Sequence, residues 1–226
     1  MASQARILVT GFGPFPGILD NASGDFARRL ADCANKRLPD AETVAAVLPV
    51  EWEAAPRLLR QLLAELQPAI CLHLGVSSHA QAPVIETVAR NSANPRPDAA
   101  DRLPACKQLL NEAPPLLRNA DPFRLLSAAA RAGLPLEVSD GPGGYLCNAI
   151  YFHSLWLARK QASASHLWRP VAFMHLPVRI GELGVPEQGK FSSPPMAVDV
   201  ALGTAICVLS TLLELDRARA VLKVQC

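Results

Sequence analysis

Cys147 closes a glycine-rich run, Asp140-Gly-Pro-Gly-Gly-Tyr-Leu-Cys147-Asn148, and a helical pattern begins at the cysteine. A thiol delivered to a helix start meets unpaired N–H groups and the positive end of the helix dipole, which favour the thiolate. His175 lies in the apolar run Val171-Ala-Phe-Met-His-Leu-Pro177, at the end of a predicted strand. Its ring can exchange a proton with a nucleophilic sulfur. Glu86 can accept from the other ring nitrogen and fix the tautomer. Thiol, imidazole and carboxylate together are the parts of a covalent acyl-transfer site. Each also has a plainer reading: a small buried hydrophobe, a satisfied core histidine, a solvated surface charge. The glycine-rich approach sets Cys147 apart from Cys71 and Cys207, which sit inside apolar runs, and from Cys33, Cys106 and Cys226, which carry no pattern.

Strands and helices must bring these residues together. Residues 6–10 read as a buried strand that ends in the loop Gly11-Phe-Gly-Pro-Phe-Pro-Gly17. Asn21 or Ser23 caps a helix through about residue 35. A strand over 43–50 and a helix over 51–67 follow, the helix marked by Leu58, Leu59, Leu62, Leu63 and Leu66 and stopped by Pro68. Residues 69–74 are a third strand and 84–90 a fourth. Residues 91–120 hold five prolines and no clean period, the mark of a long excursion. Asp121-Pro122 opens a helix that ends near Gly133. A strand over 136–139, a helix over 147–161, a strand over 171–176 and a helix over 196–215 complete the chain. The alternation predicts an α/β fold, a single three-layer α/β/α sandwich with a mostly parallel central sheet. The unbroken apolar strands fit a sheet covered on both faces. In such sheets ligands gather beyond the carboxyl ends of strands. Phe12, Phe15, Glu86, Cys147 and His175 all fall at or near such ends.

Bulk properties narrow the class. The chain has 226 residues, half of them hydrophobic, enough for one domain over residues 1–226. Net charge is +2, and the basic residues are scattered, the longest groupings being pairs such as Arg28-Arg29 and Arg159-Lys160. Nothing resembles a phosphate-tracking stripe, so nucleic acid is not the expected partner. No secretory leader is expected ahead of the first strand. The most apolar long stretch, between Asp199 and Glu214, has 14 uncharged residues, short of the ~20 that cross a bilayer, and reads as a buried helix rather than a membrane anchor. Six cysteines with no CxxC fit reduced thiols in the cytoplasm. No histidine pair has metal-ligand spacing, so neither a metal nor another cofactor is expected. His73 reads as a core histidine, His79 and His166 as loop residues, and His153 as mid-helix.

Phe12 and Phe15 in one Gly/Pro turn can line a small apolar pocket. Gly11-Phe-Gly13 lacks the spacing of a dinucleotide fingerprint, and no lysine follows as in a P-loop. Arg96, in Asn94-Pro-Arg-Pro-Asp98, is by default a surface arginine.

Taken together the motifs resemble the pyroglutamyl peptidase I (pyrrolidone-carboxylate peptidase) family of cysteine peptidases. Val9-Thr-Gly-Phe-Gly-Pro-Phe15 followed by Asn21-Ala-Ser23 resembles the family's opening segment. Leu48-Pro-Val50 and His73-Leu-Gly75 resemble its next landmarks, with Glu86 following 11 positions after Gly75. Val138-Ser139 with Tyr145-Leu-Cys-Asn148 resembles the nucleophile segment, and Phe173-Met-His-Leu-Pro177 the histidine strand. The resemblance implies a Cys147–His175–Glu86 triad that releases an N-terminal pyroglutamyl group from small peptides through a thioacyl-enzyme. It implies a ring pocket formed partly by Phe12 and Phe15, with Asn21 and Arg96 in the substrate-binding set and Arg96 near the oxyanion. It also implies no cofactor, a cytosolic setting, and a homo-oligomer, dimeric or tetrameric. Pro16 stands where a glycine is common, prolines frame Arg96, and residues 97–120 match poorly. The substrate's chemistry agrees with the residues, because a pyroglutamyl lactam is neutral and suits an apolar slot. Two rivals make different demands. A nucleoside phosphorylase or hydrolase on a similar scaffold needs a phosphate or ribose site and leaves Cys147 idle. A non-catalytic relative binds the pyroglutamyl group without turning it over.

Overall fold

The structure is a computed structural model and describes residues 4–15, 20–118, 121–165, 169–183 and 195–224. Pro16, His166 and Cys226 lie outside the described residues.

The central sheet has six strands in the order β2-β1-β3-β8-β4-β7. Strands β1 (Ala5–Phe12), β2 (Ala41–Leu48), β3 (Ile70–Ser77) and β8 (Val171–Pro177) run parallel, while β4 (Val84–Glu86) runs antiparallel to β8 and parallel to β7 (Glu137–Ser139). The sheet is thus mostly parallel, with a reversed pair at one edge. Helices α1 (Ala22–Arg37), α3 (Pro122–Arg131) and α5 (Val198–Val224) cover one face. Helices α2 (Ala54–Leu66) and α4 (Leu146–Ser165) cover the other. Alternation along the strands feeds both layers: Ile70, Leu72 and Leu74 of β3 enter the first core, and Cys71 enters the second. This double burial explains why β1, β3 and β8 are unbroken apolar runs.

The expected strand over 84–90 is two strands in two sheets. After β4 the chain breaks at Thr87, whose N–H bonds the carbonyl of Ser139, and β5 (Val88–Arg90) pairs with β6 (Leu116–Arg118) in a separate two-stranded sheet. The intervening excursion is fixed by side chains binding its backbone. Asn91 donates to the carbonyls of Leu110 and Ala113 and accepts from the N–H of Leu110. Asn148, fully buried on α4, accepts from the N–H of Arg90 and donates to the carbonyls of Arg90 and Ser92. Such bonds replace the ladder that prolines cannot complete.

Helix α5 runs 27 residues, well past its uncharged centre. Its stretch Val198–Arg219 is long and apolar enough to cross a membrane, yet half of its most apolar window is buried inside the protein. Ala201, Ala205, Val208, Leu209 and Leu212 face the first core, which makes α5 a core helix. Cys207 is half-buried rather than enclosed, because it falls to the side of that face, whereas Cys71 is enclosed completely.

Two histidines away from the cleft are buried and neutral. Burial, helped by the charge of Arg169, pushes His73 down to about 3. Burial, helped by Arg60, pushes His153 down to about 4. In the unfolded chain both protonate near the ordinary value of 6.5. Their contribution to stability is therefore complete above about 6.5 and is lost as pH falls toward 4. Urea midpoints should drop steadily from neutral pH to about pH 4; a midpoint flat across that window would show that these rings are solvated.

Candidate active site

At the carboxyl edge of β1, β3 and β8 lies a cleft of about 670 Å³, within the usual range for small-ligand sites. Cys147, His175, Glu86, Phe12, Phe15, Asn21 and Arg96 all line it. Residues from five separate segments of the chain therefore meet in one place.

Cys147 is the second residue of α4 and is half-buried. The ladder of α4 opens with the N–H of Ala149 on the carbonyl of Tyr145, so the N–H groups just before it have no acceptor within the helix. A sulfur here sits at the positive end of the helix dipole. Its position depends on Gly75 of β3. A Cβ on Gly75 would lie 2.8 Å from the Cys147 sulfur and 3.0 Å from the Phe173 ring. Only glycine allows α4 to bring its first turn this close to the sheet.

His175 is 9 % exposed and Glu86 2 %. Nδ1 of His175 lies 2.7 Å from Oε1 of Glu86. The reversed direction of β4 accounts for that depth. Its first residue, Val84, pairs with His175, so Glu86 lies farther in from the cleft edge. A parallel β4 would have put its carboxyl end at the rim with the other strands. Tyr151, one turn after Cys147 on α4, donates its hydroxyl to the carbonyl of Glu86 at 3.0 Å. Phe173 packs on the rings of both Tyr151 and His175, at 5.8 and 4.9 Å between centroids.

Burial alone would push the His175 imidazole down. Its hydrogen bonds to Cys147 and Glu86, and their charges, outweigh burial and push it up to about 10. The ring therefore keeps its proton at neutral pH. With Nδ1 held by Glu86, Nε2 is left for the sulfur.

Asn21 borders the cleft, but its side chain is largely engaged by the protein. It caps α1 by accepting from the N–H and hydroxyl of Ser23, and donates to the carbonyl of Gly13. Ser23 in turn accepts from the N–H of Phe12. A Cβ on Gly11 would overlap the backbone of Ser23, so the turn carrying Phe12 and Phe15 is fastened tightly to the start of α1. Arg96 is exposed, and its guanidinium lies over the Tyr145 ring, 4.6 Å from the centroid. Tyr145 also meets Trp52 edge-on at 5.3 Å and donates its hydroxyl to the carbonyl of Pro97. Trp52 donates its indole N–H to the carbonyl of Arg96. Buried Asp98 accepts from the N–H groups of Trp52, Ala100 and Arg102. This brace was not legible in the sequence.

Among the described residues no cluster of three His, Cys, Asp or Glu side chains could hold a metal ion.

Comparison with known proteins agrees with the geometry. A family model described as pyroglutamyl peptidase matches residues 5–213. The pyrrolidone-carboxylate peptidase of Pyrococcus furiosus is 28 % identical over 211 residues, covering 89 % of this chain and 98 % of the relative. That of Erwinia tasmaniensis is 29 % identical over 216 residues, covering 94 % and 93 %. A solved mutant pyrrolidone carboxyl peptidase from Pyrococcus furiosus superposes with a TM-score of 0.78 at 27 % identity, covering 92 % of this chain and 98 % of that one.

Gly75→Ala tests the sulfur's seat. The added methyl should cost about 1–3 kcal/mol of stability, because Cys147 and Phe173 must both give way. Alkylation of Cys147 by iodoacetamide, followed by mass spectrometry, should slow about tenfold as the sulfur leaves His175, equivalent to ~1.4 kcal/mol. An unchanged rate in a folded variant would show that the close approach does not set the sulfur's reactivity.

Proposed function

The chain belongs to the pyroglutamyl peptidase family, and we propose that it hydrolyses the amide after an N-terminal pyroglutamyl group with Cys147, His175 and Glu86 as its catalytic residues. It is a cysteine-type hydrolase acting on peptides. The carrying observation is the buried His175–Glu86 pair at 2.7 Å, in the same cleft as the thiol at the start of α4.

The Cys147 thiolate attacks the pyroglutamyl carbonyl carbon, and the electron pair of the C=O bond moves to oxygen. Unpaired N–H groups of the first turn of α4 stabilise that oxyanion, with the Arg96 guanidinium on the same side of the cleft. One such donor is worth roughly 3 kcal/mol in the barrier. The imidazolium of His175 gives its Nε2 proton to the leaving nitrogen as the C–N bond breaks, and a thioester remains on Cys147. Neutral His175 then takes a proton from water, whose oxygen attacks the thioester. Pyroglutamate leaves, and the sulfur departs as thiolate beside a reprotonated ring. Glu86 holds the ring's orientation and favours its charged form throughout.

Phe12 and Phe15 hold the lactam ring in this reading. Asn21 and Ser23 contribute by locking the turn that carries them. The free thiols at Cys33, Cys71, Cys106, Cys147 and Cys207 support a reducing, cytosolic setting. We assign catalysis to one domain and take a dimer or tetramer as the working form.

A fluorogenic pyroglutamyl amide should be cleaved by the unmodified protein, and turnover should fall by at least about 10³-fold in Cys147→Ser, a loss of about 4 kcal/mol. Wild-type turnover without loss in the serine variant would remove Cys147 from the mechanism; binding without turnover would leave a non-catalytic relative.

The pH profile tests the pair. Activity needs a protonated His175, so the alkaline limb of kcat/KM should lie near pH 10 instead of 6.5. Glu86→Gln should lower that limb by roughly 1–3 units, because a neutral amide no longer favours the imidazolium. Stability has the same sign. The contribution of His175 is complete below about 6.5 and is lost as pH rises toward 10. An alkaline limb at 6.5 in the unmodified protein would contradict the pairing.

A further inference from the structure

We propose that the leaving-group side of the cleft is an aliphatic subsite, so that the residue following pyroglutamate is preferentially Val, Leu or Ile. The proposal deepens the reading above and rests on its placement of the lactam ring against Phe12 and Phe15.

Sheet order gives the cleft a direction. Phe12 and Phe15 stand beyond β1, on the β2 side of Cys147 and Gly75. His175, Glu86 and the ends of β4 and β7 lie on the opposite side. An acyl group on the sulfur with its ring toward β1 sends the scissile nitrogen toward His175, which must protonate it. The leaving residue then lies over β8, β4 and β7.

Four valines line this part of the cleft: Val76, Val84, Val138 and Val178. All four are partly exposed, although the strands behind them are buried. Val84 pairs with His175 in the register, and both line the cleft. Val76 and Val138 pack against the core on the far face of the sheet, so the cleft wraps over the sheet edge there. Beyond the catalytic pair, the ionisable side chains at this end are His79 and Glu137, both exposed. Arg96 stands at the opposite end, over Tyr145. No arginine or lysine lines this end to meet an acidic side chain of the leaving residue, and Glu137 and the hydroxyls of Ser77, Ser78 and Ser139 are exposed or partly exposed, so that water screens what they offer a charged one. A branched aliphatic side chain covers them and removes their surface from water.

Each methylene withdrawn from water is worth roughly fourfold in kcat/KM, so a half-covered leucine side chain should give on the order of tenfold over glycine. The test uses the unmodified protein and pyroglutamyl-X amides with X = Leu, Val, Gly, Asp and Lys, read by release of the X amide. Leu and Val are expected about tenfold above Gly, with Asp and Lys no better than Gly. Val178→Thr and Val76→Thr keep the volume and add a hydroxyl. In variants whose melting temperature is retained, the Leu/Gly ratio should shrink toward one. Phe15→Ala should lower both substrates together and keep the ratio. Equal rates for all X, or a preference for Asp or Lys, overturns the aliphatic subsite while leaving pyroglutamyl hydrolysis intact. A ratio unmoved by the valine variants but erased by Phe15→Ala reverses the direction of the substrate. No cleavage of any pyroglutamyl-X amide takes down the parent reading and this one with it.

Discussion

The approach of α4 to β3 at Gly75 governs the rest of the site. A helix that brings its first turn against a strand can present a side chain at the sheet edge without a loop to carry it. That placement is rigid, because α4 is anchored along its length by Tyr151, Phe152 and Leu155 in the second core. The chemistry needs this rigidity. A sulfur displaced by an ångström no longer meets both His175 and the carbonyl under attack, and such displacements cost about a hundredfold in rate. In the proposed mechanism one missing Cβ on β3 is therefore a requirement of the site, although glycine contributes no functional group.

The ion pair beside it raises an energetic question. Burying a carboxylate and an imidazolium is costly unless each is compensated. Glu86 is almost inaccessible and has one oxygen without a hydrogen-bond partner, while the other meets His175. That arrangement leaves the carboxylate's field directed mainly at a single ring. His175 holds its proton because its interactions with Cys147 and Glu86 outweigh its burial. At neutral pH the protonated ring thus adds to the stability of the fold, and the pair stands beside the sulfur. Water could not reproduce it, since a solvated carboxylate would be screened. The antiparallel setting of β4 makes this possible by placing the carboxylate under the edge of the sheet.

Much of this could be read from sequence because several signals are local. Asn21 before α1 and Asp121-Pro122 before α3 are capping patterns, and both residues do cap their helices. The apolar runs of β1, β3 and β8 announce a sheet buried on both faces. Cys147, His175 and Glu86 were recognisable by residue type, by the glycines before the thiol, and by family-like spacing. Strand direction was not legible, because β4 has only three residues and nothing in Val84-Ile-Glu86 specifies whether its neighbour runs with or against it. The break at Thr87 carries neither glycine nor proline. Helix α5 outran its uncharged core because the residues after Glu214 still favour helix while bringing in charges at Asp216, Arg217, Arg219 and Lys223. The brace around Arg96 was hidden for another reason: the bonds that tie it to the rest of the fold join residues 44 to 48 apart, such as Trp52 to Arg96 and Tyr145 to Pro97.

That brace gives the proline-rich excursion a physical role. Prolines on either side of Arg96 remove backbone donors and fix the local φ, so the segment cannot secure itself with a ladder. Its order comes from side chains, through Asp98 gathering the N–H groups of Trp52, Ala100 and Arg102, and Trp52 and Tyr145 binding the carbonyls of Arg96 and Pro97. Stacking on Tyr145 then restricts the guanidinium to one plane while its N–H edge remains open. The same Tyr145 touches Phe15, at 6.3 Å between ring centroids, and precedes Cys147 by two residues. One aromatic side chain therefore joins the wall of the ring pocket, the charged group at the cleft rim and the helix start that carries the sulfur. A sequence change in the excursion that kept Arg96 but lost Asp98 or Trp52 would still loosen all three, which is why the poorly matching segment around 97–120 is coupled to the site despite lying outside the recognisable motifs.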